Sequence, residues 1–566
     1  MKRILLSSLA VILFAASAFA RTDGDQTAKS SDSGSATAAT APASSTTKKT
    51  PVAQTSSVAP ATAATTSATA ATADTTAAPL RQQKTESSSA NPSPVTQVST
   101  AKLSTSPDET ADGAATFSHS DAQMDQGGQS PLYFKIGGAE FSPLGFMDFT
   151  SVFRSTDVGS GIGTSFGSIP FNAASPAGEL SELRFSAQNS RIGMKIDADP
   201  GGDFKVRGYL EADFLGNAAA NVEIGSHAYT LRMRLYWVDV HRGKIEVLAG
   251  QSWSLMTPNR VGLSPMPGDI FYSQDMDTNY QVGLVWLRDP GLRIVFHPTD
   301  NVAWGFALED PEQYTGGLVT FPTGFNTAQV DDSGGNSKTP NKAPDIISKL
   351  AFDTHPNGGG RNFHVEVAGV YRAFRLNTVG LGNVTTSGGG GSVNANLEVA
   401  KGVHLIANTF WSDGGGRYIY QLGPDFAVDV NGAGNFVPSP LHAGSGIGGI
   451  EATVKKSLLY AYYGGAYFGR DFIATTGTGG TTTYTGYGYP GSANNQNRTI
   501  QEGTIGLVQT FWKNPNYGDL KLITQISYLS RNPWADAATA ATGSNPGGAA
   551  SAHLGMAFAD LRYDLP

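Results

Sequence analysis

Polar and apolar residues alternate along many short runs of this chain with a period of two. In an extended strand successive side chains point to opposite faces. Leu231–Val240 reads Leu-Arg-Met-Arg-Leu-Tyr-Trp-Val-Asp-Val. That pattern puts Leu231, Met233, Leu235 and Trp237 on one face, and Arg232, Arg234 and Tyr236 on the other. Two arginines cannot enter a dry core without partners, so the strand divides oil from water. In Asp203–Leu215 the residues Phe204, Val206, Leu210 and Phe214 oppose Lys205, Arg207, Glu211 and Asp213. In the strand before it, Ile192, Met194 and Ile196 oppose Arg191, Lys195 and Asp197. A half-exposed soluble sheet and a transmembrane β-barrel both fit such strands.

The order of elements separates the two. The pattern predicts strands at Phe141–Arg154, Leu183–Asp197, Asp203–Leu215, Thr230–His241, Lys244–Trp253, Tyr280–His297, Val302–Glu309 and Asp345–Thr354. Eight more follow at Asn362–Leu376, Gly391–Ala400, Val403–Trp411, Ile447–Lys455, Ser457–Arg470, Gln501–Lys513, Asp519–Arg531 and Ala550–Tyr563. Many reach the ~9–11 residues that cross a bilayer obliquely. Links after even strands are short, as at His241–Gly243 and Lys401–Gly402; links after odd strands are long, as at Ser254–Asn279 and Ser412–Gly446. Short turns at one rim and long loops at the other mark a bacterial outer-membrane barrel. Asp289-Pro290-Gly291 looks like a turn, but splitting Tyr280–His297 there breaks the alternation. One kinked strand restores it. The predicted fold is therefore all-β, a sixteen-stranded antiparallel transmembrane barrel. Eighteen strands result if Leu132–Gly137 is itself a strand. Trp237, Trp253, Trp411 and Trp512 fall near predicted strand ends, where aromatic girdles sit at membrane interfaces.

Composition supplies an address and a spacer. Lys2 and Arg3 precede an apolar stretch, Ile4–Phe14, and then Ala18-Phe19-Ala20. This is a secretory signal over residues 1–20, cut after Ala20. Residues 21–129 are dominated by Ser, Thr, Ala and Pro and cannot bury enough surface to fold, so a disordered linker is expected there. In the periplasm it could also serve as a stalk touching peptidoglycan. The barrel occupies residues 130–566. There is no cysteine, which removes disulfides and a cysteine-linked lipid anchor. The net charge is −8, and basic and aromatic residues do not cluster as a nucleic-acid site requires.

A sixteen-stranded barrel is wide enough for an aqueous channel, and something must narrow it. Ser254–Asn279 is the candidate, with Pro258, Pro265, Pro267 and Gly268 fixing an irregular path. It carries Asp269, Asp275 and Asp277. Folded inward, these acids would face a wall of Arg191, Lys205, Arg207, Arg232 and Arg234. Opposed charge rows orient polar solutes. Arg184 and Arg191 differ in parity within one strand; without a bulge only one faces inward, and Arg191 is assigned there, with Arg184 at the rim.

Four runs carry a family resemblance. Ala187-Gln188-Asn189-Ser190-Arg191-Ile192-Gly193, Gly208-Tyr209-Leu210-Glu211-Ala212-Asp213-Phe214, Leu231-Arg232-Met233-Arg234 and Leu248-Ala249-Gly250-Gln251-Ser252-Trp253-Ser254 occur in the order seen in the DcaP-like porins. The chain resembles that family over about residues 135–309, and beyond them in strand rhythm. The resemblance implies a trimeric sixteen-stranded outer-membrane channel whose basic constriction favours small anions. It singles out Arg191, Arg207, Arg232 and Arg234 as anion contacts.

Other chemistries are weaker. Gly159–Ser165 resembles a phosphate loop but lacks the lysine and the helix that follows it, and is expected to be a flexible external loop. The nine histidines show no metal-ligand spacing. A barrel hydrolase would need a serine–histidine or acid pair at the membrane edge; His227, His241, His297, His404 and His553 are scattered. No enzyme activity, cofactor or metal is expected. The expected function is passive diffusion of small hydrophilic, anionic or polar solutes by a homotrimer set in outer-membrane lipid and lipopolysaccharide. The alternative is a structural or wall-tethering barrel with little transport.

Overall fold

The computed structural model describes residues 131–170, 176–216, 227–266, 271–273, 281–330, 339–420, 422–493, 495–534 and 551–566. The expected signal at 1–20 and linker at 21–129 lie outside the described residues, as do Asp269, Asp275 and Asp277.

Sixteen strands run around the ring. They are β1 (Ala139–Arg154), β2 (Arg191–Gly201), β3 (Phe204–Asp213), β4 (Arg232–Arg242), β5 (Ile245–Trp253), β6 (Arg288–Thr299), β7 (Val302–Glu309) and β8 (Asp345–Asp353). Then come β9 (Phe363–Thr378), β10 (Gly382–Ala400), β11 (Val403–Asp413), β12 (His442–Val454), β13 (Ser457–Phe468), β14 (Asn497–Asn514), β15 (Gly518–Pro533) and β16 (Ala552–Asp564). Each pairs antiparallel with its sequence neighbours. β16 closes on β1 in a register running from Phe146↔Asp564 to Arg154↔Met556. Closure leaves no unpaired edge, which the hydrocarbon would not tolerate.

Two further strands join the sheet without widening the ring. Phe134–Ile136 folds back on the start of β1 as a short hairpin, so the segment Leu132–Gly137 does not raise the barrel to eighteen. Glu182–Ser186 prolongs the line of β2 beside β1, separated from it by a turn at Ala187–Ser190.

The faces differ as the alternation requires. On β1, Met147, Phe149 and Phe153 are exposed, while Asp148, Thr150 and Arg154 are buried on the inner side. On β8, Leu350 and Phe352 are exposed and Asp345, Lys349 and Asp353 are buried. The inner side is charged and the outer side apolar, the reverse of a soluble domain.

Several expectations are corrected. β6 begins at Arg288, and Gln281–Leu287 lies before it inside the barrel. Asp289-Pro290-Gly291 continues the strand, as expected, paired with Ser252, Gln251 and Gly250. β9 and β10 form one tall hairpin closed by residues 379–381. The glycine run Gly388–Gly391 continues the ladder because it leaves room for the Phe374 and Phe410 rings, where added methyl groups would crowd them. In β4, Arg234 is an extra residue: Ala212 pairs with Met233 and Glu211 with Leu235. This bulge keeps Arg232 and Arg234 inward but turns Leu235 and Trp237 inward as well. Met233, Tyr236 and Val238 face out. Trp237 is therefore buried inside rather than in an outer girdle, and Trp253 on β5 is buried inside as well; Trp411 and Trp512 are exposed on the outside.

Candidate functional site

The inner wall of β2, β3 and β4 carries the arginines. Arg232 meets Asp213 through two bonds of 2.6 and 3.0 Å. Arg234 bonds Glu211 and reaches Asp213 at 3.0 Å. Arg191 lies 3.8 Å from Glu211 and 5.1 Å above the Phe146 ring. Among the described residues, three guanidinium groups thus meet at two carboxylates. Arg232 is the most accessible, with 26% of its side chain exposed. Arg207 pairs with Asp197 at 2.8 Å nearer the short-turn rim, where Lys205 is exposed. Arg184 also lies on the inner side, opposite Val152, held by Glu182 at 2.6 Å near the long-loop rim. The turn at Ala187–Ser190 breaks the parity that would otherwise separate Arg184 from Arg191.

The described stretches 254–266, 271–273 and 281–287 lie in the lumen. Their residues are held almost wholly by charged or polar groups on strand walls. Leu255 N–H donates to Glu309 at 2.7 Å, Asn259 N–H to Glu366 at 3.0 Å and Gly262 N–H to Asp353 at 2.9 Å. Lys349 donates to the Thr257 carbonyl at 2.7 Å. Arg260 forms a fork on Glu451, 2.7 and 3.0 Å. Burial opposes the Arg260 charge, but Glu451, with Tyr272 and Tyr462, raises its pKa above that of a free arginine. Tyr272 N–H donates to the Tyr462 hydroxyl at 2.9 Å and Val282 N–H to Glu502 at 2.9 Å. At Gly283 (φ +96°) and Gly464 the loop backbone presses on the walls of β12 and β13 so closely that an added methyl group would overlap the facing carbonyls.

Two other long loops turn inward. Arg154 binds Thr164 at 2.9 Å and also the Ile162 carbonyl, and Ile162, Phe166 and Ile169 are buried. Gly159–Ser165 is thus tied to the inner wall, not left as a loose external loop. After β11, Arg417 pairs with Asp289, and Tyr418 donates to Asp345 at 2.9 Å. Asp425 lies 2.7 Å from Arg372; burial raises its pKa, against the pull of Arg372 and Arg417.

Sequence reasoning placed the charged wall in the first half only. It missed Lys349, Glu366, Arg372, Glu451 and Arg562, which line the inside of the second half. The signal was there: Asp345, Lys349 and Asp353 share one parity on β8, as do Asp560, Arg562 and Asp564 on β16.

Among the described residues no histidine bonds both a serine and a carboxylate. Ser551 and His553 meet at 2.8 Å on an exposed surface. No carboxylate bonds that ring among the described residues. His442 pairs with Asp413, also exposed. Among the described residues no three acidic or imidazole groups converge as a metal site.

No protein-family model and no curated protein matches the chain. Solved structures do. The outer-membrane channel DcaP of Acinetobacter baumannii superposes with a TM-score of 0.53 at 16% identity, over 76% of this chain and 99% of that one. An anion-selective porin from Comamonas acidovorans gives 0.42 at 13% identity, over 75% and 99%. OmpF of Salmonella typhi gives 0.40 at 11% identity, over 76% and 100%. With its ring of sixteen antiparallel strands and its charged inner face, the chain has the fold of the outer-membrane porin channels.

Proposed function

We propose that this protein is an outer-membrane porin, a water-filled channel for passive diffusion of small hydrophilic, anionic solutes. The observation that carries the reading is the wall of Arg191, Arg232 and Arg234, arrayed on Glu211 and Asp213 inside a closed barrel whose lumen holds an inward-folded loop. A solute carboxylate can replace part of the Asp213 interaction at Arg232, keeping the guanidinium bonded as it passes. Arg207 and Lys205 add positive charge toward the short-turn mouth. Asp269, Asp275 and Asp277 belong to the inward-folded loop and are proposed to set the opposite pole of the field. Barrels of this kind are proposed to associate as homotrimers in the bacterial outer membrane, with residues 21–129 in the periplasm within reach of peptidoglycan.

The protein in planar bilayers should give stepwise conductance, in groups of three for a trimer. In a salt gradient Arg232→Ala with Arg234→Ala should lower the anion preference. An unchanged reversal potential would remove those residues from the ion path. One observation favours a second reading. Three long loops fold inward and the charged inner wall is largely buried, as suits a tethering barrel with little transport. Absence of conductance steps at any voltage would select it.

A further inference from the structure

Most arginines of the barrel face a carboxylate. Two exposed at the long-loop rim are among those that do not. Arg470, two residues past the end of β13, and Arg498, at the start of β14, are exposed and form no ion pair among the described residues. Both lie against one indole: Arg470 is 5.3 Å and Arg498 5.7 Å from the centre of the Trp534 ring. Cation–aromatic contact orients a guanidinium without consuming its hydrogen-bond donors. The forks therefore remain available to an anion.

The arrangement is built, not incidental. Trp534 N–H of the ring donates to the Phe468 carbonyl at 3.0 Å, and its backbone N–H to Gln496 at 2.9 Å. Arg498 is the unpaired residue of a bulge, since Asn497 pairs with Pro533 and Thr499 with Asn532. Gly488, at φ +75°, packs against both partners: a methyl group there would come within 2.6 Å of the Arg470 Cβ and 2.9 Å of the Trp534 ring. Of the acids nearby, Asp413 holds His442.

The surroundings specify the occupant. Tyr467 makes an edge contact with Trp534, ring centres 6.3 Å apart, and shares its outward face with exposed Tyr463. Beside it lies an outward-facing groove of about 540 Å³ lined by Trp411, Asp413, His442 and Tyr467, among others. Below the groove the outer face is apolar. A cationic pair, aromatic plates and hydrocarbon-facing strands therefore follow one another down the outside of the barrel from its long-loop rim. That is the order of phosphate, sugar and acyl chain in a phosphorylated glycolipid of the outer leaflet.

We propose that Arg470 and Arg498, clamped on Trp534, bind a phosphate of such a glycolipid, with its sugar resting in the Trp411–Tyr467 groove. The test uses the full-length protein in detergent, with native mass spectrometry to measure retention of a bisphosphorylated lipid A and of its dephosphorylated form. Wild type should hold the phosphorylated form at least tenfold more tightly. Arg470→Ala with Arg498→Ala should lose that difference, while conductance and heat-modifiable gel mobility stay unchanged. The double lysine variant should retain part of it. Arg242→Ala should change nothing, although Arg242 also stacks on a ring, that of Phe204 at 4.7 Å, at the opposite rim. Equal retention of both lipids by wild type overturns the proposal, as does undiminished retention by the double alanine variant. Inorganic phosphate binding as tightly as the lipid would overturn the lipid source. Should the alanine pair fail to fold, the comparison of the two lipids on wild type decides alone.

Discussion

Glu211 is the residue on which the arginine wall turns. It serves Arg234 and Arg191 at once and accepts a bond from Tyr209 at 3.1 Å. Replacing one partner of a buried pair leaves the other charge uncompensated. Glu211→Gln keeps the shape and removes one negative charge, so the local charge should become more positive. The expected outcome is an anion-to-cation permeability ratio raised by about twofold, read from the reversal potential. An unchanged or lowered ratio would place the wall outside the ion path. The identity of these residues was legible in the sequence because arginine has no place against lipid. The position of the bulge is less legible, although one clue is present. Unbroken alternation from Leu231 would have carried Asp239 to the lipid side, and a carboxylate there is costly. The extra residue at Arg234 leaves Asp239 opposite Arg207 on the inner side.

At the scale of elements, the inward-folded loop depends on a surface that side chains would spoil. Gly464 of β13 lies directly beneath the Val282 carbonyl, and Glu502 of β14 holds the Val282 N–H. Gly464→Val should lift this stretch from the wall without breaking the strand ladder. Single-channel conductance should then change by at least about a third relative to wild type, since the loop occupies the cross-section, while the folded barrel keeps its gel mobility. Unaltered conductance would show that this contact does not shape the pore. Strand positions were legible from period-two alternation, but strand ends were not. Gly388–Gly390 reads as loop because glycine weakens a strand, yet here it extends β10 beneath the aromatic rings of its neighbours. Gln281–Leu287 reads as strand because it is apolar, yet those residues are buried within the barrel.

The barrel as a whole is an inverted protein, with ion pairs inside and hydrocarbon-facing side chains outside. Ile505 and Ile526 face each other across β14 and β15, and each is 69% exposed. Ile505→Arg should destabilise the folded barrel by about 2–4 kcal/mol if the site lies near the bilayer midplane, as measured by denaturant unfolding in lipid vesicles. A change below about 0.5 kcal/mol would mean that this face does not meet lipid. Barrel closure was legible from the parity of loop lengths, which no single strand reveals. The inward packing of three long loops was only partly legible. Proline and acid content suggested it for Ser254–Asn279, whereas Gly159–Ser165 and Gly416–Tyr418 carry no pattern that distinguishes an inward path from an outward one.

The extra residue in β4 has one more consequence. Deleting a residue from an ordinary strand throws the remainder out of phase, turning wet side chains to oil and oily ones to water. At Arg234 the reverse holds. Met233 and Leu235 already pair with adjacent residues of β3, so excision would leave every other side chain of β4 on its present face. The strand is complete without this arginine. A charge has been inserted into a finished sheet rather than exchanged for a residue within it, and such a charge can be gained or lost between homologous channels without redrawing the wall.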